Sequence, residues 1–314
     1  MKGLFAILAF SVLAPIAASA APVAPAGLYR DSAGHTLYVG VEHYLPDALS
    51  NETFEPRSRV LGSAVGSARL IRGIVESRRV LKTANGPLGV SLYSAGVQKR
   101  ATVILIHGND PEAREMGFLI PYFVCNGMNV ISYDQRGTGD STGNWFLSGP
   151  QQRAIDVEAA FDAYANNPHV DAKRFGLWGV SNGGWTAPIV AQARPVAFLI
   201  LKSPPAESVS DNVRYEVKQR MQHDGFSNAA VAQAITTWNT MFGALDGTGS
   251  WDLAATQYKA ASSQKWFTAS AMPPGLRFPL PAAMVAGFKN AVSYDPTQTL
   301  PELKTPTVAF FGQL

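Results

Sequence analysis

The chain has 314 residues, of which 46% are hydrophobic and 16% charged, and its formal net charge is +3. That length supports one large core or two domains, and the composition excludes a disordered or fibrous chain. So mild a positive balance leaves no general footprint for nucleic acid, and a single cysteine, Cys125, excludes an internal disulfide.

In chain order, residues 1–20 read as a targeting segment. Lys2 supplies the positive charge, "LFAILAFSVLAPIA" the apolar stretch, and "ASA" at Ala18 to Ala20 the small-residue cleavage site. The expectation is an exported protein, periplasmic or secreted, with a mature chain starting near Ala21. The apolar stretch is too short for a stable membrane anchor, and no later stretch is apolar enough to span a bilayer.

Residues 21–80 form an N-terminal extension that reads as β-rich. "APVAPAG" is a linker, and "GLYRDSAGHTLYVGVEHY" alternates around a Ser-Ala-Gly turn as a hairpin would. Short strands follow, with a helix also open at Leu70, Ile71, Ile74 and Val75. The basic stretch Arg69 to Lys82 is interleaved with Leu, Ile and Val, which favours solvated faces of strands or a helix over a nucleic-acid or membrane patch.

From about residue 81, strands and helices alternate. "GPLGVSLYSAG", "ATVILIHG", "NVISYDQRG", "RFGLWGV", "PVAFLILKS" and "PTVAFFG" read as strands, the second apolar throughout and so covered on both faces. Val157, Ala160, Phe161 and Tyr164 lie at helical spacing behind Pro150. Such alternation means an α/β fold with a mostly parallel sheet and helices on both faces. Residues 205–290 break the rhythm with two amphipathic helices (Val213, Val217, Met221; then Val231, Ile235, Trp238, Phe242) and a proline-rich stretch, the pattern of a lid insert.

The chemistry concentrates in "LWGVSNGGW". Gly179, Ser181 and Gly183 make a G-x-S-x-G sequence between a strand and a helix. A serine lifted above the sheet needs a sharp, strained turn, and a side chain two positions to either side would collide with it. The Asn182 backbone N–H then faces an oxyanion, with a second N–H from Gly108 or Asn109 in "LIHGND". His107, at a strand end, reads as a buried turn histidine, and Asp134 and Arg136 as braces of the glycine-rich loop after "YDQRG". Trp185, Phe118 and Trp145 are candidates for an apolar acyl pocket; Met221 and Trp238 of the lid could join them, although packing of the lid's own underside is the favoured role for both. Glu112, Glu115 and Asp140 are the carboxylates that could hold a substrate ammonium. No metal or organic cofactor is implied, because no His/Cys/Asp cluster has ligand spacing and no phosphate loop is present.

At these residues the chain resembles the α/β-hydrolase superfamily, in its secreted esterase and serine-aminopeptidase-like branch. "HGNDPEAREMG", "VISYDQRGTGDSTGNW", "DVEAAFDAYANNPHVDAKRFGLWGVSNGG" and "YDPTQTLPELKTPTVAFFGQL" carry the resemblance, over residues 80–314. It implies the α/β-hydrolase fold over 81–314, with the lid at about 205–290 after the sixth strand. The last strand and helix of that fold are expected to be missing. It also implies that the catalytic acid follows "TVAFFG" and that the histidine comes later, so the chain as written is expected to lack both. Glu207 or Asp211 is a possible stand-in acid; His35, His43, His169 and His223 are poor stand-ins for the base. The implied function is acyl transfer from a small ester, amide or short peptide to water through Ser181. The alternative is a non-catalytic binding protein on the same fold.

Overall fold

A computed structural model describes residues 26–30, 32, 36–39, 69–114 and 116–312. The expected targeting segment, His35, His43, Glu115 and the last two residues lie outside the described residues.

The described residues form two sheets. The smaller has three strands: β1 (Gly27–Arg30) pairs antiparallel with β2 (Thr36–Val39), giving the expected hairpin, and with β3 (Arg69–Gly73). The larger is built from β4 (Val75–Thr83), β5 (Gly86–Ser94), β6 (Arg100–Ile106), β7 (Asn129–Tyr133), β8 (Val170–Val180), β9 (Phe198–Lys202) and β10 (Thr307–Phe310). Its seven strands run in the order β10-β9-β8-β6-β7-β5-β4. β5 is antiparallel to both neighbours, and the remaining pairs are parallel.

Two sequence readings shift. Leu70, Ile71, Ile74 and Val75 belong to strands and their junction, so the helical option fails: successive side chains there serve two faces of a sheet. The division at residue 80 falls inside β4, which pairs with β5 from Val75 to Thr83 and so belongs to the main sheet. The change from one sheet to the other comes at Ile74.

The central strand shows why this sequence makes a three-layered fold. In β6, Ile104 and Ile106 face one side and pack with Val157, Ala160, Phe161 and Tyr164 of helix α2 (Pro150–Tyr164). Ala187 and Val190 of α3 (Gly183–Ala193) complete that layer. Val103 and Leu105 face the other side and pack with Ile120, Phe123 and Val124 of α1 (Leu119–Cys125). All four β6 side chains are fully buried, each contributing about 1.5–3 kcal/mol. An unbroken apolar run is what a strand covered on both faces requires.

After β9 the chain leaves the sheet and makes α4 (Val209–His223), α5 (Asn228–Asp246), α6 (Trp251–Ser262) and α7 (Ala282–Val292). Ser208, Ser227 and Ser250 cap the first three, accepting backbone N–H bonds of their first turns. Gly247 ends α5 in the left-handed conformation (φ 86°). These helices enclose their own core of Val217, Met221, Val231, Met241, Phe242, Tyr258 and Trp266. The chain then returns through short turns to β10, parallel to β9. No described helix is long and apolar enough to cross a membrane.

Candidate active site

β6 and β8 are parallel neighbours in register from Thr102 with Phe175 to Ile106 with Gly179. Both therefore turn at the same edge of the sheet, and the residues after each are brought together. After β8 comes Ser181, a non-glycine residue at φ 49°, a strained conformation that persists only when its surroundings enforce it. The Ser181 N–H donates to the Lys202 carbonyl (3.0 Å), and the Ser181 carbonyl accepts from Gly184 (2.7 Å), so the turn is tied to β9 and to α3. Ser181 is exposed, and its Oγ has no hydrogen-bond partner among the described residues.

After β6 comes the turn His107 to Asn109. A methyl group on Gly108 would lie 3.7 Å from Ser181 Cβ, so the two turns are in contact. The Gly108 carbonyl accepts from Arg153 Nη1 (2.6 Å) and Gln135 Nε2 (3.1 Å), and Asn109 Oδ1 accepts from Arg153 Nη2 (3.0 Å). Among the described residues the backbone N–H groups of Asn109 and Asn182 have no acceptor. Burial lowers the Arg153 guanidinium, and the nearby Tyr133, Asp156 and Asp110 act against that shift. Burial also raises the Tyr133 phenol, with the Asp156 charge adding to it.

Ser181, Asn182, Asn109 and Trp185 line a cavity of about 270 Å³ roofed by the lid. Trp238, Met241 and Phe242 of α5, Phe288 and Val292 of α7, and Phe146 make its apolar walls. Trp185 is held there by Nε1 donating to the Glu207 carbonyl (3.0 Å). Trp238 stacks on Phe242 with ring centroids 5.3 Å apart.

Several expected pocket residues lie elsewhere. Phe118 precedes α1 and packs edge-on against Tyr122 without lining the cavity. Trp145 is also outside it; its edge-on neighbour Phe146 takes the wall position. Met221 is fully buried in the lid's own core. Of the proposed ammonium carboxylates, Glu112 pairs with His107 (3.0 Å) and Asp140 with Arg114, and neither lines the cavity. Glu216 of α4 does, as the only ionisable side chain on the wall among the described residues, and it is paired with Arg220.

His107 is buried with both ring nitrogens engaged, Nδ1 with Glu112 and Nε2 with the Tyr133 carbonyl (2.7 Å). His169 contacts the Val97 carbonyl at the opposite edge of the sheet, and His223 ends α4. Glu207 accepts from Asn212, and Asp211 from Ser208 and Arg214; neither contacts Ser181. Asp134 and Arg136 are braces as expected: Asp134 accepts from Arg114 and from the Asp140 N–H, and Arg136 holds Asp156. No group of three or more metal-ligating side chains occurs among the described residues.

Arg153, Gln135 and Phe146 escaped the sequence reading. The signal for Arg153 was present: it lies four residues before Val157, a charge on the buried stripe of α2.

Residues 97–239 match the family described as serine aminopeptidase, S33. No curated protein matches the sequence. Among solved structures, the chain is similar to the α/β hydrolase GrgF from Penicillium sp. sh18, at 20% identity over 75% of this chain and 79% of that one (TM-score 0.47). A hypothetical protein from Pseudomonas aeruginosa is similar at 15% identity, over 76% and 78% of the two chains (TM-score 0.47). The structure of DcsB with its substrate analogue is similar at 21% identity, over 76% and 81% (TM-score 0.47). With its sheet order and the strand-turn-helix around Ser181, the chain has the α/β-hydrolase fold. The match over residues 97–239 supports hydrolase chemistry.

Proposed function

We propose that the protein is a serine hydrolase that cleaves esters of apolar carboxylic acids through an acyl-enzyme, with Ser181 as nucleophile. One observation carries this reading: Ser181 stands at positive φ beneath a largely apolar cavity, with the N–H groups of Asn109 and Asn182 unclaimed among the described residues. In the reaction Ser181 Oγ attacks the ester carbonyl, and the oxygen that becomes negative takes hydrogen bonds from those two groups. Gly108 supplies the carbonyl that orients the Asn109 peptide. Among the described residues no histidine or carboxylate hydrogen-bonds to Ser181. The cavity is just under the ~300–1,000 Å³ range of ligand pockets, which suits a short or medium acyl chain.

A fluorophosphonate and a p-nitrophenyl ester series test this on the full-length protein. Ser181 should carry the label, and Ser181→Ala should lose label and about 10⁴–10⁶ in turnover. Near-normal turnover by Ser181→Ala refutes the reading. Intact mass of the exported form tests the export component, with Ala21 the expected first residue.

A second reading, aminopeptidase, is supported by Glu216, the carboxylate on the cavity wall, which would exchange its partner Arg220 for a substrate ammonium. Aminoacyl p-nitroanilides separate the two: turnover of these, lost in Glu216→Gln, selects the peptidase. Ligand binding in the cavity with no labelling and no turnover would instead mark a binding protein on this fold.

A further inference from the structure

Arg153 is 7% exposed, yet no carboxylate among the described residues accepts a hydrogen bond from it. Its donors go to four neutral oxygens: the carbonyls of Gly108, Trp145 and Ser148, and Asn109 Oδ1. A buried cation satisfied only by neutral acceptors is a costly way to fill a helix position. Its cost calls for a role beyond packing, and two of the four acceptors belong to the turn facing Ser181.

We propose that Arg153 is a positioning residue for oxyanion binding: by gripping the Gly108 carbonyl and the Asn109 side chain it holds the Asn109 N–H toward the reacting carbonyl. The inference rests on the reading of Ser181 as nucleophile. In a planar trans peptide the carbonyl of Gly108 and the N–H of Asn109 point in opposite directions. With the carbonyl drawn to Arg153 and Gln135, the N–H is turned away from both, and Asn109 lines the cavity with Ser181. This selects Asn109 over Gly108 as the second donor. A charge-assisted bond to the carbonyl also polarises the peptide and strengthens its N–H as a donor. Arg153 thus links α2 to the chemistry without touching substrate.

The test compares Arg153→Lys, which keeps the charge but not the fork, with Arg153→Met in the full-length protein. Expected is a fall in kcat of about 10–100-fold on p-nitrophenyl esters, with KM within about twofold, since a displaced donor weakens only the transition state. Affinity for an alkylboronic acid, which becomes tetrahedral on Ser181, should fall by a similar factor. Arg153→Gly should regain part of its kcat with millimolar methylguanidinium. A folded Arg153→Met with wild-type kcat, or with its loss carried by KM alone, overturns the proposal. Should the Arg153 variants fail to fold, Gln135→Met removes the other donor to the same carbonyl: a lower kcat at constant KM supports the clamp, and an unchanged kcat overturns it. Ser181→Ala keeps the two failures apart. If it stays active, the nucleophile reading falls and the clamp with it; if it is silent while Arg153→Met is undiminished, only the clamp falls.

Discussion

Gly179 and Gly183 meet across the turn that carries Ser181: a methyl group on Gly179 would sit 2.5 Å from the Gly183 carbonyl oxygen. Gly183 cannot retreat, because a methyl group there would lie 2.8 Å from the carbonyl oxygen of Ile106. The contacts are backbone on backbone, so no flexible side chain can yield. Gly179→Ala or Gly183→Ala should lose about 1–3 kcal/mol in urea denaturation. Fluorophosphonate labelling per folded molecule should drop as well, because Ser181 moves with the turn. A variant with a wild-type midpoint and labelling rate would contradict this.

Asp134 offers the opposite case, a buried charge remote from the reaction. Its oxygens accept from the Arg114 N–H (2.8 Å), Arg114 Nε (3.0 Å) and the Asp140 N–H (2.8 Å). The fit is tight, since a methyl on Gly139 or Gly89 would come within 2.3 Å of the carboxyl group. Asp134→Ala leaves the buried Arg114 guanidinium with only the exposed Asp140 as a charged partner and should cost about 3 kcal/mol. At a temperature where the variant is folded, its labelling at Ser181 should match wild type. Calorimetry and labelling together check both halves.

Cys125 supplies a pH dependence. Burial pushes its thiol up to about 11, with Arg72 acting weakly the other way. The folded state therefore holds the proton more tightly than the unfolded chain. The resulting stability is complete below the ordinary thiol range and disappears as pH rises toward about 11. Tyr133, Tyr164 and Tyr294, also raised chiefly by burial, act in the same direction. Thermal midpoints should fall through the alkaline range, less steeply in Cys125→Ala. Iodoacetamide should modify native Cys125 only as fast as the protein opens.

Trp238 tests the acyl pocket. Its ring is on the cavity wall, its Nε1 donates to the Ser270 carbonyl (2.9 Å), and it stacks on Phe242. Trp238→Leu lengthens the cavity and should move the best p-nitrophenyl ester toward longer chains. Each added methylene that now fits should shift kcat/KM by about 10-fold. An unchanged chain-length profile would place the acyl group elsewhere.

The sheet was readable because its strands are either continuous apolar runs, as in Val103 to Ile106, or are bounded by glycine and proline. The turn at Ser181 was readable because steric demand writes itself into residue type at Gly179 and Gly183. The lid was readable only in part. α4 and α5 announce themselves by apolar spacing, whereas α6 carries Thr256, Gln257 and Lys259 on its outer face and buries little beyond Ala254, Tyr258 and Ala261. The pocket walls were least readable, since side-chain direction depends on a backbone the sequence does not display. Trp145 and Phe146 are adjacent, and the turn between them decides which one meets a ligand.

The lid's core is closed upon itself: Val217, Met221, Met241 and Phe242 pack with Tyr258 and Trp266 rather than with the β-sheet side chains. Such a unit can tilt as a rigid body, breaking contacts along one seam while its interior stays packed. Amide exchange should then divide into two cooperative blocks, the lid helices opening at a lower free energy than β6 to β8. Where that tilting governs the departure of product, turnover becomes a matter of friction, slowing in glycerol or sucrose while the phosphonylation of Ser181 by small fluorophosphonates, with loss of fluoride, keeps its pace.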